Sequence, residues 1–206
     1  MKRKNKKGRP GKSWTVSMRR YGKALLSSLP PGAVLLFYYY RVKHFFLPPS
    51  DLKLHLGCGG VRLKGFINID HRLTGATDMV SDIGKLPFPD GSAARIECYH
   101  VIEHLPHRQV PRMLREWRRI LKPGGELVIE CPDFDRTVRE YLEGSEARIY
   151  NVFGLQRFAG DAHLFGYNRL RLRRILEEAG FRAVEDREPS DYHTREEACL
   201  RIECRK

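Results

Sequence analysis

Residues able to do chemistry gather at three places in this chain. The first is Leu54-His55-Leu56-Gly57-Cys58-Gly59-Gly60, followed by Gly65-Phe66-Ile67-Asn68-Ile69-Asp70. It reads as a short buried strand, a glycine-rich turn and a second strand ending in an acid. Such a turn lets backbone lie close to a small cofactor, while a carboxylate one strand away can hold a ribose diol. The second place is His100-Val101-Ile102-Glu103-His104. The third is Asp161-Ala162-His163-Leu164-Phe165-Gly166-Tyr167. Either could supply a general base.

Several chemistries fail on single residues. A dinucleotide fingerprint counted from Gly57 needs glycine at position 62, where Arg62 stands. A P-loop running from Gly60 to Gly65 needs lysine next, where Phe66 stands. His100-Val101-Ile102-Glu103-His104 matches the H-x-x-E-H pattern of zinc peptidases, whose two histidines must share one helical face. Here the segment follows the strand-like Ile96-Glu97-Cys98-Tyr99, and Pro106 comes two residues later. No metal is expected on that basis.

Four ordered blocks point elsewhere: Leu54–Gly60, Asp82–Ser92, His100–Leu105 and Leu121–Leu127. Together they resemble class I S-adenosylmethionine-dependent methyltransferases of the type 11 group, well over about residues 52–132 and more loosely to Phe181. The resemblance implies that Gly57, Cys58 and Gly59 lie against the cofactor and that Asp70 accepts from both ribose hydroxyls. It also implies that Asp82 and the Ile83 backbone read the adenine edge, that Leu86 packs on the ring, and that His100 faces the sulfonium. His55 stands where the family carries an acid, and Val61 where it carries a last glycine. Only 13 positions separate Gly57 from Asp70, so the first crossover helix is expected to be shortened. In this the chain resembles predicted methyltransferases of polysaccharide and cell-surface biosynthesis.

Methyl transfer from a sulfonium needs positioning more than covalent help, and a base only for a weak nucleophile. The candidates are His163, His100, His104 and Asp133, with His163 preferred because related enzymes build the acceptor pocket from that block. His193 reads as surface. Arg169, Arg171, Arg173 and Arg174 read as a solvated helix face, with an anionic acceptor as the other reading. The expected function is methylation of a small-molecule or glycan acceptor. Two alternatives stay open: a catalytically silent cofactor-binding module at a membrane, and an RNA methyltransferase guided by a basic arm. Nucleic acid is the less favoured partner: no Asn-Pro-Pro-Tyr or Asp-Pro-Pro-Tyr block follows the fourth strand, which argues against adenine or cytosine amino methylation and leaves RNA ribose or tRNA substrates open.

These residues must be positioned by alternating strands and helices. Strands are expected near Lys53–Leu56, Phe66–His71, Met79–Ile83, Arg95–Val101, Glu126–Cys131, Phe181–Arg187 and Ala198–Arg205. Apolar residues at Val110, Leu114, Trp117, Ile120 and Leu121 predict a helix stopped by Pro123-Gly124-Gly125, and further helices are expected over Phe134–Leu142 and Leu170–Ala179. The alternation predicts an α/β fold: a Rossmann-like open sheet of about seven mostly parallel strands with a closing antiparallel hairpin. At 206 residues the chain can bury one substantial core. Residues 1–50 hold twelve Lys or Arg and no acid, whereas residues 51–206 are nearly balanced. The expected organisation is therefore a basic arm with an apolar, aromatic segment over 1–50 and a cofactor-binding domain over 51–206. Residues 1–47 read either as a tail with a packed helix or as a peripheral anchor on anionic membrane. Five cysteines without a Cys-x-x-Cys pair argue against a disulfide framework and fit a reducing cytoplasm.

Overall fold

A computed structural model describes residues 51–206; the arm, its apolar segment and the anchor reading lie outside the described residues. The strands are β1 (Leu52–Leu56), β2 (Ile67–Asp70), β3 (Met79–Val80), β4 (Ala93–Tyr99), β5 (Leu121–Pro132), β6 (Arg182–Arg187) and β7 (Cys199–Arg205). They form one sheet in the order β3-β2-β1-β4-β5-β7-β6. Pairing is parallel from β3 to β5 and antiparallel at β5–β7 and β7–β6. The helices are α1 (Val110–Ile120), α2 (Phe134–Leu142), α3 (Arg148–Phe153) and α4 (Arg169–Glu178).

Register explains the core. Ile67, Leu54, Ile96, Leu127 and Cys204 are paired in one row across the sheet, and Ile69, Leu56, Cys98, Ile129 and Ile202 in the next row on the same face. All ten are buried. α1 belongs to the same core through Val110, Leu114, Trp117 and Ile120, each 1% exposed or less. The Trp117 indole also donates to the Ile83 carbonyl at 2.8 Å, tying α1 to the loop after β3. The row between the two apolar rows carries Asn68, His55 and Glu97, and it is buried and polar. Burial of such groups requires partners. His55 Nδ1 pairs with Asn68 Oδ1 at 3.0 Å, while Glu97 accepts from Arg95 at 2.5 Å and Tyr99 at 2.6 Å.

The first crossover contains no helix: residues 57–66 run through turns and irregular chain. Asn68, with no exposed surface, holds it instead. Its Oδ1 accepts from Leu63 N at 2.8 Å, and its Nδ2 donates to the carbonyls of Leu63 and Phe66 at 3.2 Å each and to Asp78 at 2.9 Å. Thus one amide replaces the missing helix as the loop's anchor.

Several boundaries differ from expectation. β4 stops at Tyr99 because His100 takes φ 51, a left-handed value that ends strand geometry. β5 begins at Leu121, ahead of the glycines, and Ala93 and Arg95 pair with Leu121 and Glu126, so Lys122–Gly125 bulge out of the ladder. The six-residue α3 carries no buried side chain, which explains why hydrophobic periodicity missed it. All five cysteines are buried free thiols. No helix among the described residues is long and apolar enough to cross a membrane.

Candidate functional site

The glycine turn sits at the C-terminal ends of β1 and β2, the edge where open α/β sheets take ligands. Gly57 and Cys58 both donate to the Ile69 carbonyl, at 2.8 and 3.0 Å, which folds the turn back over β2. Gly57 has φ 68, and a Cβ there would overlap Val101 Cγ2 and come within 3.1 Å of Cγ1. Gly59 has φ 52, yet a Cβ on it would meet nothing within 4 Å. The two glycines therefore do different work: Gly57 admits Val101 against the backbone, and Gly59 borders open space.

Asp70 is 3% exposed and clasps this turn. Its Oδ2 accepts from Gly59 N and its Oδ1 from Arg72 N, both at 2.8 Å, with His71 Nδ1 at 3.2 Å from Oδ1. A carboxylate can accept about four hydrogen bonds, so acceptor capacity remains. Asp82 is exposed and accepts only a local bond from Gly84 N at 2.8 Å. The Cys58 thiol is buried beside Thr77 Oγ1 at 3.7 Å, leaving its backbone as the part that can meet a ligand. The Ile83 carbonyl is taken by Trp117. Leu86, 4% exposed, belongs to the core and offers no open face to a ring.

The histidines converge, although the sequence scatters them over nearly a hundred residues. After β4 a short 3-10 turn, Ile102–His104, brings Glu103 under the surface at 2% exposure. His100 Nδ1 lies 3.4 Å from both Glu103 Oε1 and Glu197 Oε1, and its Nε2 is 3.6 Å from Cys199 Sγ. Burial alone would lower its pKa, but the Cys199 contact and the Glu103 carboxylate raise it to about 11. With one ring nitrogen facing two carboxylates and the other the Cys199 thiol, His100 is turned into this cluster rather than left open at the end of β4. His193 also departs from its surface reading: it stacks on His100 with centroids 3.8 Å apart and is hydrogen-bonded to Asp191.

His104 and His163 meet edge to face at 4.7 Å. His104 Nδ1 lies 3.0 Å from the Ala162 carbonyl, and His163 Nδ1 2.8 Å from the Asn151 carbonyl. A carbonyl only accepts, so each Nδ1 carries the proton and, in the neutral ring, each Nε2 keeps its lone pair. Burial, chiefly, lowers the His163 pKa and holds the ring neutral near pH 7. A small cavity beside it is lined by Glu103, Phe134, Asn151, Phe165 and Tyr167.

Other candidates are spoken for. Asp133 is the N-cap of α2, accepting from Arg136 N at 3.4 Å. On α4, Arg171 donates to the Gly166 carbonyl at 2.7 Å, Arg173 to Val184 and Asp186, and Arg174 pairs with Glu178. Glu103 stands in a stretch that the sequence marks for chemistry, but its burial inside a turn has no signature there.

Residues 64–129 match the methyltransferase type 11 family, described as Methyltransferase domain. The chain is 39% identical over 72 residues to an uncharacterised protein of a Streptomyces fradiae transposon, covering 34% of this chain and 20% of that protein. It is 34% identical over 73 residues to the ubiquinone/menaquinone biosynthesis C-methyltransferase UbiE of Bordetella avium, covering 35% of this chain and 27% of that protein. The match thus spans less than a third of either relative's length. A solved S-adenosylmethionine-dependent methyltransferase from Methanosarcina mazei superposes with TM-score 0.54 at 19% identity, over 81% of this chain and 97% of its own. Strand order, parallel ladder and closing hairpin agree with that likeness: the described residues adopt the Rossmann-like fold of the S-adenosylmethionine-dependent methyltransferases.

Proposed function

We propose that this protein is a methyltransferase that uses S-adenosylmethionine and acts on a small-molecule or glycan acceptor. The observation that carries this reading is the turn at Gly57–Gly59, held by Asp70 at the ligand-binding edge of the sheet and open above Gly59. The matched domain and the fold support it.

The residues present fit the cofactor in part. The backbone of Gly57–Gly59 would take its amino-acid portion, Asp70 its ribose hydroxyls through the remaining acceptor positions, and Asp82 its adenine edge. Leu86 is not among the contacts. When bound, S-adenosylmethionine supplies a methyl group on a sulfonium whose leaving group is a neutral thioether. The chain's own part is to orient donor and acceptor in line and to keep the path dry. His163, neutral and with Nε2 free of the backbone, can take a proton from an acceptor hydroxyl. His104, beside it, orients that acceptor.

Calorimetric titration of S-adenosylmethionine into the full chain and into Asp70→Ala tests the cofactor site. Saturable binding to the wild type, weakened at least tenfold in the variant, is expected. Equal binding by both would remove Asp70 from the site. Formation of S-adenosylhomocysteine in the presence of hydroxylated acceptors tests the activity, and binding without turnover across an acceptor panel would mark a silent module.

A further inference from the structure

We infer that Glu103, His104 and His163 form a binding site for a divalent transition-metal ion of the zinc type. One donor atom from each of the three lies within 4.8 Å of the other two. A zinc ion about 2 Å from each of its donors holds them roughly 3.3 Å apart, so the side chains need close by at most about 1.5 Å. Two imidazole nitrogens and one carboxylate suit zinc, cobalt or iron, whereas magnesium and calcium take oxygen alone.

Two independent observations favour a ligand here. Neither carboxylate oxygen of Glu103 makes a hydrogen bond, although the residue is 98% removed from solvent. With only the His100 ring nitrogen near it among the described residues, at 3.4 Å from Oε1, this carboxylate keeps acceptor capacity for a further cation. His100 Nδ1 approaches it at 3.4 Å, but it is equally close to Glu197, so His100 keeps a carboxylate partner when Glu103 turns to a metal. The second observation is the tautomer. Both histidines spend Nδ1 on backbone carbonyls, which aims Nε2 lone pairs away from the backbone, the arrangement that orients metal-bound imidazoles.

Two neighbouring groupings, His100–Asp191–His193 and His100–Glu197–Cys199, also bring donor atoms close. They are weaker candidates because one His100 nitrogen already faces Glu103 and Glu197 and the other the Cys199 thiol, and His193 Nδ1 is bonded to Asp191. Sequence position hid the favoured set. The H-x-x-E-H segment is not an α-helix that would put both histidines on one face; the second histidine here is His163, 59 residues beyond His104.

Three protein ligands leave coordination open to an acceptor oxygen, a hydroxyl or carboxylate that the ion would both hold and polarise. In that state His163 would be a ligand, and the ion would acidify the hydroxyl so that its proton passes to solvent water as the methyl group arrives. This role rests on the proposed methyl transfer; metal binding does not.

The test titrates Co²⁺ into the metal-stripped full chain and follows its visible d–d absorption, with Zn²⁺ competition. Wild type should saturate at one equivalent, and Glu103→Gln and His163→Gln should each weaken binding more than about tenfold. His193→Ala should stay within about threefold of the wild type. A zinc-dependent rise in the wild-type melting temperature gives a readout that needs no variant. Absence of both saturation and that rise would overturn the site, as would undiminished binding by folded Glu103→Gln. S-adenosylmethionine titration of the stripped protein separates the two readings, since failure there sinks the cofactor and leaves the metal result standing.

Discussion

Replacing Gly57 by alanine should cost more than any other glycine change in the turn, and the structure says where the cost arises. At φ 68 an alanine is strained whatever surrounds it, by about 1–2 kcal/mol. The added methyl also overlaps Val101 Cγ2 and presses on Cγ1 and Cβ, at 3.1 and 3.3 Å. Valine is stiff about χ1, so it cannot swing clear, and overpacking of this kind costs about 1–3 kcal/mol. The sum is about 2–5 kcal/mol, a large share of the 5–15 kcal/mol typical of a domain. Gly59→Ala provides the control: φ is similarly positive at 52, but nothing lies within 4 Å, so only the backbone cost of about 1–2 kcal/mol remains. Urea unfolding of both variants, of Val101→Ala and of the Gly57→Ala/Val101→Ala pair closes a double-mutant cycle. A favourable coupling of about 1–3 kcal/mol is expected, because truncating Val101 removes the two overlapping methyl carbons. Equal stabilities for Gly57→Ala and Gly59→Ala, or a coupling near zero, would refute the claim that Gly57 is required by Val101.

Function should reverse that order in its own way: Gly59→Ala is expected to lose S-adenosylmethionine affinity at least tenfold while staying folded, as calorimetry and circular dichroism would report. Asn68→Ala should destabilise the domain by about 2–4 kcal/mol, since it strands the Leu63 amide and the buried His55 ring nitrogen and takes one of several bonds from Asp78, and limited proteolysis should then cut within residues 57–66. For acid sensitivity, burial would raise the Asp78 pKa, but bonds from Asn68 and Arg62 bring it below its usual 3.8. Its stabilisation is therefore full above about pH 4 and is lost as pH falls through the depressed value; Asp78→Asn should flatten the stability–pH curve in that window. A curve with the same acid slope in the variant would show that Asp78 does not carry the effect. Replacing Glu130, a carboxylate with no exposed surface that accepts from Ser190 and Asp191 amides and faces Arg201, by alanine should cost about 3–5 kcal/mol in chemical denaturation.

Much of this protein is local and therefore legible in its sequence. Apolar alternation at Leu54 and Leu56, at Ile67 and Ile69, and at Ile96 and Cys98 marks strands, because successive side chains in a strand face opposite sides. The spacing of Val110, Leu114, Trp117 and Ile120 marks α1 by the same kind of rule at period 3.6. Glycines at 57 and 59 announce positive φ, and the 13 positions from Gly57 to Asp70 leave no room for a full crossover helix. Tertiary structure alone decided the rest, since it depends on which distant residues share a volume. Nothing near Glu103 in sequence indicates that it is buried beside His163, 60 residues further on. Nor does anything near His163 indicate that Asn151 fixes its tautomer, or near His193 that it stacks on His100. Leu86 reads as a ring-packing residue until the core takes it. Pattern determines which faces are apolar; only the packed fold determines which polar groups are left facing one another, and those groups decide the chemistry.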